Sequence, residues 1–275
     1  MAVSIASRSV SVIAVLLSKL SVTRKRRLIS DAFFVCVCFF FSSALYASCT
    51  PEDFSQLREV DVVTVLDGDT LRLADEDVRL VGVNTPEMNY GKSKKPEPYA
   101  VESTQFVKTF VSENRVFLEK AGWDKYQRRL GQIWVALKGD LFLLSEYLLK
   151  NGYAFQVFES ESRYVSCLRQ AEIQARDAKK GVWGALEFWL NVDRGGFVLW
   201  SGRLNRVTKS KRYSWLSFSD QRVVRVPNQW FEQLGVKRDL QGEFLEVRGW
   251  AVRREKTRFE PYMLPLKSPQ IFLEN

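Results

Sequence analysis

The chain has 275 residues and four cysteines but no histidine. Without an imidazole it has no Ser-His-Asp or Cys-His catalysis and no His-ligated zinc, so any chemistry falls to carboxylates, Arg and Lys. A hydrophobic content of 46% with 27% charged residues describes a globular chain of one or two domains. The net charge of +9 is uneven: residues 1–48 carry +5, residues 49–190 carry −3 and residues 191–275 carry +7.

The run Arg24-Lys25-Arg26-Arg27 precedes an apolar stretch, Ala32 to Leu45, and then the small residues Ala47 and Ser48. This pattern predicts a signal peptide over residues 1–48 and export to the periplasm or the medium. The apolar stretch is shorter than the ~20 residues of a membrane span, so no stable span is expected after leader removal. An uncleaved N-terminal anchor is the alternative. Cys36 and Cys38 leave with the leader, and the remaining Cys49 and Cys167 make one pair, which export permits to be a disulfide. Lipidation of Cys49 is the rival, because Tyr46-Ala47-Ser48-Cys49 approximates a lipid-attachment box with Tyr where Leu is usual.

A domain over residues 49–190 begins with three β-rich runs: Val60 to Leu66, Thr70 to Leu73 and Val78 to Val83. The first two are joined by a turn at Asp67-Gly68, which sets Asp67 and Asp69 at a strand edge; taken alone this is an ordinary hairpin signal. Arg79 alternates with Val78 and Leu80 and is expected to share a face with Val81 and Val83, where it would need an anion beside it. The segment YGKSKKPEPY is loop-like, and Phe106, Val107, Phe110 and Val111 recur at helical spacing. Strands are predicted over Arg115 to Lys120 and Leu130 to Leu137. A short helix marked by Leu141, Leu144 and Leu148 stops at Asn151-Gly152, and a long helix from Tyr164 stops at Gly181. The five strands predict an α+β domain built on a small antiparallel barrel.

Residues 191–275 form a second β-rich block, with strand-like runs at 197–207, 213–218, 223–226, 245–253 and 270–273 and a helical segment at 229–234. Arg203, Arg206, Lys209, Lys211 and Arg212 flank Tyr213 and Trp215, with Trp200 nearby and Arg253, Arg254, Lys256 and Arg258 further on. Cations interleaved with rings suit single-stranded nucleic acid; a core plus a solvated surface is the plainer reading.

The order of VLDGDTLRL, VRLVGVNTPE, a Lys-rich loop ending in Tyr-Ala-x-Glu, DKYQRRLGQIWV and LLKNGYA resembles the staphylococcal nuclease (thermonuclease-like) family over about residues 58–183. The resemblance implies a five-stranded OB-type barrel with three helices and a calcium-dependent phosphodiesterase site that cuts DNA and, in some cases, RNA. It assigns Arg79 and Arg128 to the scissile phosphate, Glu87 to the attacking water, and Asp69, Asp67, the residue at 84 and the Thr85 carbonyl to Ca²⁺. Lys125 and Tyr126 match substrate-contacting positions, and Phe158 falls near a base-stacking position. The pattern expects Asp where this chain has Asn84. An amide oxygen still suits a hard cation, but the site loses one charge, which admits other divalent ions. The block at 191–275 loosely resembles the OB-fold-like extension of exported nucleases of this type. The expectation is a monomeric exported nuclease; the alternative is a catalytically weak or inactive nucleic-acid-binding protein on the same fold.

Overall fold

A computed structural model describes residues 48–90, 95–124, 126–157, 163–219, 221–233, 240–255 and 260–266. The leader with Cys36 and Cys38, the expected site residues Lys125 and Phe158, the cations Lys256 and Arg258, and the strand expected at 270–273 lie outside these residues. Among the described residues no helix is long and apolar enough to cross a membrane.

The first half builds a sheet from β1 (Arg58–Val60), β2 (Val62–Asp67), β3 (Thr70–Leu73), β4 (Asp77–Leu80), β6 (Arg115–Trp123), β7 (Arg129–Leu137) and β8 (Asp140–Leu143). The order is β1-β6-β7-β4-β3-β2, with β8 on the far side of β7. The strands at the two ends of that path, β1 and β2, are separated in the chain by Asp61 alone, so the sheet curls back towards its own start. Three helices accompany it: α1 (Ala100–Ser112), α2 (Leu144–Lys150) and α3 (Val165–Asp177). This is the expected α+β arrangement of a curled sheet with three helices, but seven strands form the sheet rather than five.

Two further differences from expectation have physical causes. The sheet is not wholly antiparallel, because β4 and β7 pair in parallel, Val78 opposite Arg129. A parallel pair needs a long crossover, and the stretch holding α1 and β6 supplies it. Leu141 belongs to β8 rather than to the short helix: Lys138-Gly139, both at positive φ, turn β7 back into a hairpin, and α2 starts only at Leu144.

Leu71, Val78, Leu80, Leu118, Ile133 and Leu148 are fully or almost fully buried between the sheet and the helices. Cys49 and Cys167 are joined in a disulfide that pins the N-terminal segment to α3, with Cα atoms 5.4 Å apart. Beside it Glu146 accepts from the Cys49 amide at 3.0 Å. Gly152, which ends α2, lies against the end of the α3 segment. A Cβ there would meet the Lys180 carbonyl oxygen at 2.2 Å, so only glycine lets the two helix ends touch.

The second half forms a six-stranded sheet from β10 (Gly196–Arg203), β11 (Arg206–Lys209), β12 (Tyr213–Ser217), β13 (Arg222–Pro227), β14 (Phe244–Arg253) and β15 (Tyr262–Pro265), with helix α4 (Asn228–Gln233) after β13. The run expected as one strand over 197–207 breaks at Leu204-Asn205 into β10 and β11, and β15 was not expected. The order is β10-β14-β15-β13-β12-β11. Its one parallel pair, β13 with β15, falls where β4 with β7 falls in the first sheet, and its end strands are again consecutive in the chain. The two halves thus repeat one strand order, a relationship invisible in the sequence itself.

The halves share a core. Phe155, Val157, Ala175, Trp183, Trp189, Phe197 and Leu199 form one buried cluster across the junction. The Arg248 guanidinium reaches Glu172 Oε1 at 2.6 Å, and Arg176 clasps both Glu246 oxygens at 2.7 and 2.6 Å. Trp200, expected near the basic surface, is instead fully buried, its indole N–H donating to the Val192 carbonyl at 3.1 Å. Hydrophobic packing outweighs the polar handle once that one donor is satisfied.

Candidate active site

The Asp67-Gly68-Asp69 turn between β2 and β3 carries the first part of the site. A Cβ on Gly68 would sit 2.5 Å from Ser103 Oγ and 2.8 Å from a Thr85 methyl carbon, so glycine lets the turn press onto α1 and onto the strand end after β5 (Val83–Asn84). The Asp69 amide donates to Asp67 Oδ1 at 3.2 Å, and Asp69 Oδ2 accepts from the Thr85 amide at 2.8 Å. Asp69, Asn84 and Thr85 are all buried, and β5 is held by antiparallel pairing with β9 (Phe155–Gln156).

Arg79 lies opposite Thr70 across β3 and β4. The expectation that it shares an apolar face with Val81 and Val83 is not met. The strand ends at Leu80, Val78 and Leu80 point into the core, and Arg79 lies on the other face with Asp77. Its requirement for an anion is met on that face: Arg79 forms an ion pair with Asp69 Oδ1 and donates to Asn84 Oδ1 at 3.1 Å. The Asn84 amide in turn donates to the Thr85 carbonyl at 3.3 Å.

The parallel register of β4 with β7 brings in Arg128. Arg129 lies opposite Val78, so Arg128, one residue earlier, enters the sheet at the same end as Arg79. Asp124, whose part was not foreseen in the sequence, shapes its loop. One oxygen accepts from the Tyr126 and Arg128 amides at 2.8 and 2.9 Å, and the other from Arg128 Nε at 2.8 Å. The signal available was an Asp four residues before an Arg in a turn-rich stretch. Tyr126 is exposed, with the Arg128 guanidinium carbon 5.7 Å from its ring centre.

Burial pushes the Asp67 carboxyl above the usual aspartate range, against the pull of Arg79, Thr70 and Arg128. Glu87 projects from the exposed loop after Pro86. Its backbone is fastened to Glu97, by the Glu87 amide donating to Glu97 Oε2 at 2.9 Å and by the Glu97 amide donating back to the Glu87 carbonyl at 2.9 Å.

The three carboxylates of Asp67, Asp69 and Glu87, expected as neighbours, do not gather: among the described residues no three His, Cys, Asp or Glu side chains converge as a metal site. Asn84 accounts for part of this, since an Asp there would add an acid beside Asp69. Around the turn the oxygens serve separate donors: Asp67 Oδ1 accepts from the Asp69 amide, Asp69 Oδ2 from the Thr85 amide, Asn84 Oδ1 from Arg79 and the Thr85 carbonyl from the Asn84 amide. Carboxylate, amide and carbonyl oxygens are ligand types that a hard divalent cation takes.

Residues 77–185 match the family model "Staphylococcal nuclease homologue". The match includes Arg79, Asn84, Thr85, Glu87 and Arg128 and begins after Asp67 and Asp69. Similar proteins include "Thermonuclease" of Staphylococcus intermedius, 33% identical over 130 residues, which span 44% of this chain and 74% of that protein. "Endonuclease YncB" of Bacillus subtilis is 29% identical over 164 residues, or 54% of this chain and 74% of the relative. "Probable endonuclease LCL3" of Komagataella phaffii is 31% identical over 116 residues, 39% of this chain and 48% of that protein. The chain thus spans about half the length of this last relative and about three quarters of the other two. With the motifs in family order and these matches, the chain belongs to the family of staphylococcal nuclease homologues.

Proposed function

We propose that this chain is an exported, divalent-metal-dependent nuclease that hydrolyses phosphodiester bonds in DNA and, by the same chemistry, in RNA. The observation that carries the reading is that the parallel β4 and β7 register brings Arg128 to the sheet end where Arg79 pairs with Asp69 of the Asp67-Gly68-Asp69 turn. Two guanidiniums stay charged at any working pH, and each presents a planar fork that matches a phosphate. Arg79, its side chain 14% exposed, is held in place by Asp69 and Asn84, so little ordering remains to be done when phosphate arrives. Arg128, 35% exposed and oriented by Asp124, is the more accessible arginine.

Glu87 is the acceptor for the proton of the attacking water. As the water oxygen bonds to phosphorus and the ester P–O bond breaks, the leaving oxygen takes a proton from solvent and the arginines offset the charge that builds on the phosphoryl oxygens. Asp67, Asp69, Asn84 and Thr85 are the residues that would hold a divalent cation, Ca²⁺ or, because of Asn84, another ion. When bound, such an ion supplies Lewis-acid charge neutralisation and orders the water. Tyr126 is a substrate contact beside Arg128, and Lys125, which lies outside the described residues, is a second by its match to the family pattern. Export is supported by the Arg24 to Leu45 pattern and by the Cys49 and Cys167 disulfide, a bond that persists in oxidising compartments.

We read residues 191–275 as an OB-like barrel, supported by its repeat of the first sheet's strand order. One specific observation favours the second reading, a nucleic-acid-binding protein without turnover: Asn84 leaves the site short of a third carboxylate. Incubating the mature chain with plasmid, single-stranded DNA and RNA in Ca²⁺, Mg²⁺, Mn²⁺ or EDTA separates the two. Cleavage with a metal and none in EDTA is expected; binding without cleavage in every metal would establish the second reading.

A further inference from the structure

The second sheet carries a cleft that the proposed chemistry does not use. It has a volume of about 440 Å³ and is walled by Arg206 and Thr208 of β11, Ser210 of the following turn, Trp215 of β12, and Arg254 and Glu260 of the segments flanking the β14 to β15 connection. The strands β11, β12 and β13 hold the places in this sheet's order that β2, β3 and β4 hold in the first.

The cleft follows from the alternation along β12. Ser214, Leu216 and Ser217 are buried, which leaves Tyr213 and Trp215 together on the outer face, their ring centres 6.5 Å apart. Guanidiniums accompany both rings: the Arg225 carbon lies 4.8 Å from the Tyr213 ring centre and the Arg254 carbon 5.8 Å from that of Trp215. At the cleft floor Glu260 is buried and its charge is taken up locally. Its Oε1 accepts from Ser217 and from Arg206, each at 2.6 Å, while Arg254 donates to its backbone carbonyl. Exposed Lys209, Lys211 and Arg212 continue the cationic rim along the β11 to β12 turn. A core needs none of these features on an outer face. A ring, hydroxyls at Thr208 and Ser210, and flanking cations suit one unpaired nucleobase with its phosphates.

We infer that this cleft is a second nucleic-acid site, in which an unpaired base of a single strand stacks on Trp215 while its phosphates meet Arg254 and the Lys209 to Arg212 rim. The inference rests on nucleic acid being the substrate. It adds a holding site outside the stretch that carries the reacting groups, on residues 191–275, which carry the positive charge of +7. A duplex has its bases stacked internally and cannot offer one to Trp215 without paying for unstacking, so the site favours single strands.

The test uses the mature full chain in EDTA, with fluorescence anisotropy of a labelled 12-nucleotide single strand and of the matching duplex, for wild type, Trp215→Ala, Trp215→Phe and Lys209→Gln. Cleavage of plasmid and of a long single strand is followed in parallel with metal. Loss of one base stack predicts single-strand binding weakened by roughly 5- to 100-fold in Trp215→Ala, with most of it retained in Trp215→Phe and duplex binding little changed. For cleavage of the single strand, KM rises in Trp215→Ala while kcat stays. If Trp215→Ala does not fold, Lys209→Gln decides: its salt-dependence slope for single-strand binding should fall by about 0.7. Unchanged single-strand binding in Trp215→Ala, or an unchanged slope in Lys209→Gln, overturns the site while leaving the nuclease reading intact if wild type still cleaves. Wild type that neither binds nor cleaves overturns both.

Discussion

Arg79 donates a hydrogen bond to Asn84 Oδ1 at 3.1 Å, so the neutral amide shares with the Asp69 carboxylate the task of holding the arginine. The same amide donates to the Thr85 carbonyl, one of the oxygens available to a cation. Asn84→Asp removes that donor and adds a charge next to Asp69. Calcium affinity follows ligand charge count, so the variant should bind Ca²⁺ on the order of tenfold more tightly by calorimetry. Equal or weaker binding would mean that residue 84 does not face the ion.

The Arg248 and Glu172 pair joins the two halves of the chain where both side chains are buried. Removing one member strands the other charge in the interior. Arg248→Met should therefore lose about 3–5 kcal/mol in urea unfolding, and Arg248→Met with Glu172→Gln should regain part of it. Independent unfolding of the halves, with the first unaffected by Arg248→Met, would contradict the shared core.

The disulfide between Cys49 and Cys167 closes a separation of 118 residues. In the chain-entropy model a loop of that length is worth about 5 kcal/mol. Reduction with dithiothreitol should lower the urea midpoint correspondingly, and the mass of the mature chain should show two oxidised thiols. A diacylglycerol adduct on Cys49 would instead support the lipid-anchored alternative.

Glu76 gathers Arg129 at 2.7 Å, Arg58 at 3.1 Å and Lys120 at 3.4 Å, and Arg129 also stacks 3.6 Å from the Trp123 ring centre. Burial alone would raise the Glu76 carboxyl, but the hydrogen bond and charge of Arg129 together with Lys120 bring it below the usual range. A lowered carboxyl adds stability that is fully present above its unfolded value, near 4.3, and is lost as pH falls through the lower folded one. Glu76→Gln should be less stable than wild type at pH 7, with the gap narrowing as pH drops below about 4. A gap that is constant with pH would assign the effect to packing.

The sequence carried the elements whose signals are local. Apolar spacing located α1 and α3, Asn151-Gly152 marked the end of α2, and the Asp-Gly step marked the turn that carries Asp67 and Asp69, whereas α3 ends at Asp177, short of the Gly181 stop, with Lys179 taking up a positive φ. Long-range pairing was beyond it. Nothing in residues 77–80 or 129–137 announces a parallel pair, yet that pair brings Arg128 to the same sheet end as Arg79. The face of Arg79 is not legible because the apolar run Val78 to Val83 reads as one strand, whereas the chain leaves the strand after Leu80. The role of Asp124 is to bond backbone amides, which sequence spacing does not reveal. The repeated strand order is likewise a property of hydrogen-bonded registers, with no counterpart in side-chain pattern.

The central claim is that Arg79 and Arg128 act on phosphate in the transition state. Single-turnover cleavage of a labelled oligonucleotide, with binding measured separately in EDTA, tests it on Arg79→Lys and Arg128→Ala. Arg79→Lys keeps a cation beside Asp69 but loses the planar fork, and Arg128 is partly exposed, so both variants should fold. Each should cut about 100-fold or more slowly while binding within a few-fold of wild type. Wild-type cleavage rates in both variants would contradict the account.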